Sequence, residues 1–281
     1  MKLQEIRVDR STGHDATASL DSVRQAYEAT YERSTRADWD FHDTRDPLIR
    51  YLRDRRIRIA LTQALAVTRR SPQDLTALVV CGGVGGEGTY LKNLGCRSVT
   101  VTDFSRHALE ICRERDPRLE TRVEDAEHHD LPDESFDIVL VQDGLHELRR
   151  PTVGLTEMLR LSRAITIVIE PYDGIVGRLF GTRWEAHGGV INYVFRWNRR
   201  LVRDVVCSFL REPAVATRVT RLWDHNVIVR RVAQLAGRGA AGVAVARAIY
   251  VTLDTVFAGF GNMMVAVIVK GERERAASHA H

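Results

Sequence analysis

The sequence predicts an α/β fold, a doubly wound sheet with helices on both faces. Three observations predict it. Between Ala77 and Asp103 the chain reads as strand, glycine loop, helix and strand. An apolar run, Ala77–Val80, stops at Gly82, Gly83, Gly85, Gly86 and Gly88; an amphipathic segment with Tyr90, Leu91 and Leu94 follows; a second apolar strand ends on Asp103. Further apolar runs, Phe136–Val141 and Ala164–Ile169, come later, with room for a helix between them. These runs are close to continuously apolar, the pattern of strands covered on both sides.

Each part of the first unit has a physical job. Glycines let the backbone turn tightly and approach a ligand without a Cβ in the way. The helix that starts after them points free N–H groups and a positive dipole end at the loop. An acid at the tip of the second strand can accept hydrogen bonds from two ribose hydroxyls. The unit therefore reads as a site for a nucleoside-containing cofactor. The glycines alone leave two registers open. Gly83-x-Gly85-x-x-Gly88, with Asp103 about 20 residues on, fits the dinucleotide pattern. The register Gly82, Gly83 and Gly86 fits a different glycine loop.

The next segment favours the second register. A helix (Ala108–Arg115) and a short strand (Glu120–Val123) lead to Glu124-Asp125-Ala126. Then comes Leu131-Pro-Asp-Glu-Ser-Phe-Asp-Ile-Val-Leu-Val-Gln-Asp-Gly-Leu-His-Glu-Leu148. With these motifs in this order, the chain resembles the class I S-adenosylmethionine (SAM)-dependent methyltransferases, over roughly Leu75 to Pro171 and a C-terminal strand. The resemblance implies a seven-stranded mixed sheet whose last strand is antiparallel, inserted between the fifth and sixth. It implies that Gly82, Gly83 and Gly86 shape the methionine side of the loop and that Asp103 holds the ribose. Phe104 would pack an edge of the adenine, Asp125 and Ala126 would hold it, and Gln142 and Asp143 would flank the methionine or the methyl. Two departures stand out. Val84 occupies a position where the family often has another glycine, and Val80-Cys81 replace the acid that often precedes the loop.

Composition bounds the alternatives. The 281 residues are 44% hydrophobic and 28% charged, ordinary for a soluble core and too charged for a membrane protein. The net charge is +4, carried almost wholly by scattered arginines, so no nucleic-acid partner is expected. Cys81, Cys96, Cys112 and Cys207 form no CxxC pair and read as free thiols of a reducing compartment. The first residues lack an apolar signal core, so a cytoplasmic location is expected. His128-His129-Asp130 lacks a second ligand cluster, so no metal is expected. No GxSxG elbow and no P-loop lysine are present, which argues against hydrolase and ATPase chemistry.

Residues 1–72 read as an N-terminal helical arm or lid, and 73–281 as the cofactor domain. Within the arm, Asp21–Thr35 reads as a helix, and Tyr27, Tyr31 and Trp39 form an aromatic cluster that could close over a substrate. Asp46 and Pro47 start a second helix. Its Arg50, Arg53, Arg55, Arg56 and Arg58 read as a solvated face, with one arginine in reach of the cofactor's carboxylate. In the domain, His146 follows the fourth strand and is the candidate base. Glu170, at the end of the fifth, is the alternative. Tyr172, Trp184, His187 and Tyr193 lie in a glycine-rich stretch expected to contact a planar small molecule. Ala214–Trp223 reads as the sixth strand and Met263–Val269 as the last. Between them, about 227–260 reads as a helical insertion packing on the sheet or in a homodimer. Arg247 and Asp254 interrupt its apolar part, so no stable membrane insertion is expected.

The expected function is methyl transfer from SAM to oxygen or nitrogen of a small-molecule acceptor in natural-product biosynthesis. The alternatives are an NAD(P)-dependent reductase and a SAM-binding, non-catalytic partner subunit.

Overall fold

Helices and strands interleave from Pro47 onward, with three like pairs in succession, in the computed structural model, which describes Gln25, Glu28, Ala29 and residues 46–187, 190–211 and 216–271. Helix α1 (Pro47–Thr68) starts at Asp46, whose carboxylate accepts the Leu48 N–H at 2.9 Å. Then follow β1 (Thr76–Val80), α2 (Gly86–Leu94), β2 (Ser98–Asp103), α3 (Arg106–Arg115), β3 (Glu120–Val123), β4 (Phe136–Gln142), α4 (Pro151–Leu161) and β5 (Ser162–Pro171). The glycine-rich stretch forms a short helix α5 (Ile175–Phe180) and a separate hairpin of β6 (Trp184–His187) and β7 (Val190–Tyr193). Helix α6 (Arg199–Leu210), strand β8 (Ala216–Leu222), helices α7 (Asn226–Ala236) and α8 (Ala240–Val256), and strand β9 (Met263–Val269) follow.

Seven strands form one sheet in the order β3-β2-β1-β4-β5-β9-β8. Strands β1 to β5 are parallel, and β9 runs antiparallel to both of its neighbours. Pro171 and Leu222 both pair with Met263, so the ends of β5 and β8 finish level with the start of β9. The carboxyl ends of the parallel strands thus share one edge, where ligands bind in open α/β sheets.

Two cores fill the two faces. One holds Ile57, Ala60, Leu61 and Ala64 of α1, Leu91 of α2 and Leu109 of α3 against the sheet. The other holds Leu155 and Met158 of α4 and Val202 and Val206 of α6. The first half of α1 lies elsewhere. Leu48, Tyr51 and Leu52 pack on Val229, Val232, Ala246 and Tyr250, so the insertion α7–α8 seats on α1. No described helix is long and apolar enough to cross a membrane.

Candidate cofactor and acceptor site

The loop after β1 is held in left-handed backbone at Cys81, Gly83 and Gly85, with φ of 52°, 47° and 86°. The Gly82 N–H donates to the Thr102 carbonyl at 2.9 Å, tying the loop to β2. A Cβ on Gly82 would stand 2.5 Å from the Val101 side chain, and one on Gly85 would stand 2.4 Å from Cys112 Sγ. Packing therefore favours glycine at position 82, and packing together with left-handed backbone demands it at 85. Among the described residues no side chain caps the start of α2, which leaves its first N–H groups for a ligand.

Asp103 ends β2 beside this loop. Its carboxylate accepts the N–H groups of Gly83 and Ser105, both at 2.9 Å. Burial pushes its pKa up to about 6, against the pull of those two hydrogen bonds. Phe104, half-buried, adjoins it. Ser105 caps α3 through the Ala108 N–H at 3.1 Å. Glu28 accepts from the Ser105 hydroxyl and from the His107 N–H, so this part of the N-terminal segment docks beside Asp103. Asp125 lies two residues beyond β3, and Ala126 is buried behind it. One Asp125 oxygen accepts the Glu127 N–H at 2.9 Å and shapes the turn.

Beyond β4 the site becomes ionic. Gln142 Nε2 donates to Glu87 in the first turn of α2 at 3.1 Å, while its buried Oε1 has no hydrogen-bond partner among the described residues. Burial raises the Glu87 pKa against the opposing charge of Arg53. Asp143 stands in left-handed backbone, φ 55°, with its N–H on the Ile169 carbonyl at 2.9 Å. Arg56 of α1 pairs with Asp143 at 2.6 Å and with Asp224, just past β8, at 3.3 Å. Burial opposes the Arg56 charge, but the two carboxylates overcome it and hold its pKa above the usual guanidinium value. Arg55 is buried beside it in an ion pair with Asp254. The solvated face expected for α1 is thus corrected at these two residues, because carboxylates from three distant elements receive them.

His146 sits in a short 3-10 turn after β4, with Nδ1 2.7 Å from Glu170 Oε2. Glu170 is fully buried, and it also accepts the N–H groups of Gly144, Leu145 and His146 at 2.9, 2.7 and 3.2 Å. The sequence reading set it facing an acceptor. The structure turns it instead onto the His146 loop, where four donors converge on its two oxygens.

The expected acceptor residues do not gather at one point. Tyr27, Tyr31 and Trp39 lie outside the described residues. Tyr172 packs under the Arg221 guanidinium, 4.3 Å from the ring centre, and borders a cavity of about 600 Å³. Trp184 and Tyr193 pair edge to face at 5.1 Å across the β6–β7 hairpin, both exposed. His187 is in β6, but its side chain is outside the described set. Among the described residues no group of three or more His, Cys, Asp or Glu is arranged to hold a metal ion. Sequence reasoning missed Glu87, Asp224 and Glu28. Glu87 alone carried a signal, as an acid in the first turn of the glycine-loop helix.

The uncapped helix start, the buried Asp103 carboxylate and the orphaned Gln142 Oε1 fit the N–H-seeking, diol and ammonium groups of SAM in turn. The strand order settles the choice between the two glycine registers. The dinucleotide fold continues past its fifth strand with another parallel strand, whereas here antiparallel β9 intervenes. Residues 78–167 match a family model described as a methyltransferase domain. The chain carries a class I SAM-dependent methyltransferase domain. SAM is the cofactor of that domain class. A curated demethylmenaquinone methyltransferase from Clavibacter sepedonicus is 34% identical over 124 residues, 43% of this chain and 48% of that protein. The chain thus spans about half the length of that relative. A solved SAM-dependent methyltransferase from Thermotoga maritima superposes with a TM-score of 0.54 at 18% identity, covering 88% of this chain and 99% of its own. The magnesium protoporphyrin IX methyltransferase of Synechocystis PCC 6803, crystallised with bound SAH, gives a TM-score of 0.51 at 12% identity, with 94% and 100% covered. These two likenesses concern the fold.

Proposed function

We propose that this methyltransferase domain transfers a methyl group to an oxygen or nitrogen of a small-molecule acceptor, of the kind made in natural-product biosynthesis. The observation that carries the reading is the convergence, on one sheet edge, of an uncapped glycine-loop helix, a buried strand-tip carboxylate and a histidine fixed by Glu170. The name of the Clavibacter sepedonicus relative, which acts on demethylmenaquinone, supports a small-molecule acceptor.

SAM supplies a methyl group already activated by its positive sulfur, so the protein's task is alignment, exclusion of water and proton removal. Asp103 accepts the ribose hydroxyls. Phe104, Asp125 and Ala126 frame the base. The Gly82–Gly86 loop, the α2 N–H groups and Gln142 Oε1 hold the amino-acid end. Arg56 and Asp224 brace Asp143 and so fix the tip of β4 beside the methyl. Glu170 holds His146 through Nδ1 and so orients the ring that takes the proton of an acceptor O–H or N–H. Tyr172 and His187 bear on the acceptor, with Tyr27, Tyr31 and Trp39 closing from the N-terminal segment, while Trp184 and Tyr193 stand exposed on the hairpin. The enzyme works in the cytoplasm.

Calorimetry with SAM, SAH and NADP tests the cofactor, and release of SAH over an acceptor panel tests the reaction. SAM binding with SAH release is expected. NADP binding with no response to SAM would overturn the reading. SAM binding that never yields SAH with any acceptor would leave a catalytically silent partner subunit in its place.

A further inference from the structure

Helix α5 is seated the wrong way round for an amphipathic helix. Its one buried residue is Gly177, where a Cβ would stand 2.7 Å from the Tyr172 carbonyl. Three of its apolar residues face water instead: Ile175, Leu179 and Phe180 are 64%, 65% and 69% exposed, while Val176 is half-buried. Trp184 and Tyr193 of the neighbouring hairpin are more than half exposed as well. Large apolar groups clustered in water mark a contact surface.

Beside this ridge lies the cavity of about 600 Å³, lined by Arg178, Arg199, Arg200 and Arg203. Its one acid, Asp173, is spent on Arg178 in two bonds of 2.7 Å. Among the described residues Arg200 and Arg203 share only Asp204, at 3.5 and 3.7 Å, and both side chains are largely in solvent. Ile175, Arg221 and Phe260 line a second, smaller groove that shares Tyr172, Asp173 and Arg178 with the first.

We propose that α5, the β6–β7 hairpin and the start of α6 form a docking face for an anionic lipid surface. Exposed aliphatic and aromatic side chains enter the boundary between headgroups and acyl chains, where Trp and Tyr are favoured. The arginines meet the headgroup phosphates, and their long stems let the charge reach the surface while the helix lies in it. A second copy of the chain is the poorer occupant, because a two-fold contact would set these arginines against one another. Tyr172, at the end of β5, lines both grooves, so the face adjoins the edge that carries the site. The inference needs only this surface and is independent of the acceptor's identity.

The test is co-sedimentation of the full chain with phosphatidylcholine vesicles, with and without phosphatidylglycerol. Binding to the anionic vesicles alone is expected, weakening with salt, with a blue shift of Trp emission that Trp184→Phe removes. Leu179→Ser/Phe180→Ser and Arg200→Glu/Arg203→Glu should each lower vesicle affinity by on the order of tenfold. These side chains are exposed, and unchanged thermal unfolding confirms that the variants fold. Equal binding to both vesicle types, no binding to either, or double variants that bind like the parent would overturn the proposal. So would a dimer, seen by light scattering, that the same variants dissociate without altering vesicle binding.

Discussion

Arg56 and Asp143 meet at 2.6 Å where α1 passes the end of β4. The same guanidinium reaches Asp224 beyond β8 at 3.3 Å, so one buried cation joins three elements that are distant in sequence. The β4 tip, with Gln142 and Asp143, is therefore braced from outside the sheet.

Arg56→Met should destabilise the fold by about 3–5 kcal/mol, because it leaves two carboxylates facing each other without a partner. Arg56→Lys should recover only part of that, since an ammonium cannot span both acids with a planar fork. Urea unfolding measures the stability. SAM affinity should fall in both variants, because the backbone at Asp143 is left-handed and needs the brace to hold that shape.

Asp103 makes cofactor binding depend on pH. Its carboxyl titrates near 6 in the folded protein because burial disfavours the charge. Only the carboxylate can accept two ribose hydroxyls. SAM affinity should be full above that pH and fall as the pH drops through 6. Asp103→Ala should lose about 1–3 kcal/mol of cofactor affinity and flatten the profile. The stability of the cofactor-free protein runs in the opposite sense. A carboxyl whose folded pKa is raised stabilises the fold when protonated, and that contribution is lost as pH rises from the unfolded value of 3.8 through about 6. Asp103→Asn cannot ionise, so across this window its stability should rise relative to the parent's by on the order of 3 kcal/mol, from a lower starting point because its amide NH2 faces the N–H of Gly83 or Ser105, as read by chemical unfolding at a series of pH values.

Gly85 tests whether the loop is shaped by backbone or by packing. Its φ is +86°, and a Cβ there would meet Cys112 Sγ at 2.4 Å. Gly85→Ala should cost roughly 2–4 kcal/mol in thermal unfolding, from left-handed strain and the clash together. In a Cys112→Ala background the clash is relieved and the strain is not, so part of the loss should return.

The strands were the most legible part of the chain. Glu120–Val123 and Met263–Val269 read from the sequence at the bounds the structure gives them. Both follow from local signals, a short run between turn residues and a long apolar run before Lys270-Gly271. The glycine loop and Asp103 were legible for the same reason, since each sits at a fixed offset within one strand–loop–helix unit. Residues whose setting depends on distant partners were not. A helix pattern reports how apolar a face is, and Arg55 and Arg56 read as solvated because their acids come from Asp143, Asp224 and Asp254. Glu170 read as open to the cleft because its strand end is. That its side chain turns back onto the Gly144–His146 amides depends on how that loop closes, which no local spacing records.

Glu170 and His146 give the prediction closest to the chemistry. Glu170 receives three backbone N–H groups and the Nδ1 of His146, so its first duty is to hold the loop that carries the histidine. Glu170→Gln replaces one accepting oxygen with a donor facing other donors and should destabilise the protein by about 3 kcal/mol. His146→Ala leaves Glu170 its three amides and should cost less stability. If His146 takes the acceptor's proton, His146→Ala should lower kcat by about 10²-fold or more at neutral pH. KM for SAM should stay within a few-fold, because the ring is assigned to the acceptor rather than the cofactor. The loss should shrink at high pH, where an acidic acceptor ionises without help. An unchanged kcat at neutral pH would remove His146 as a base.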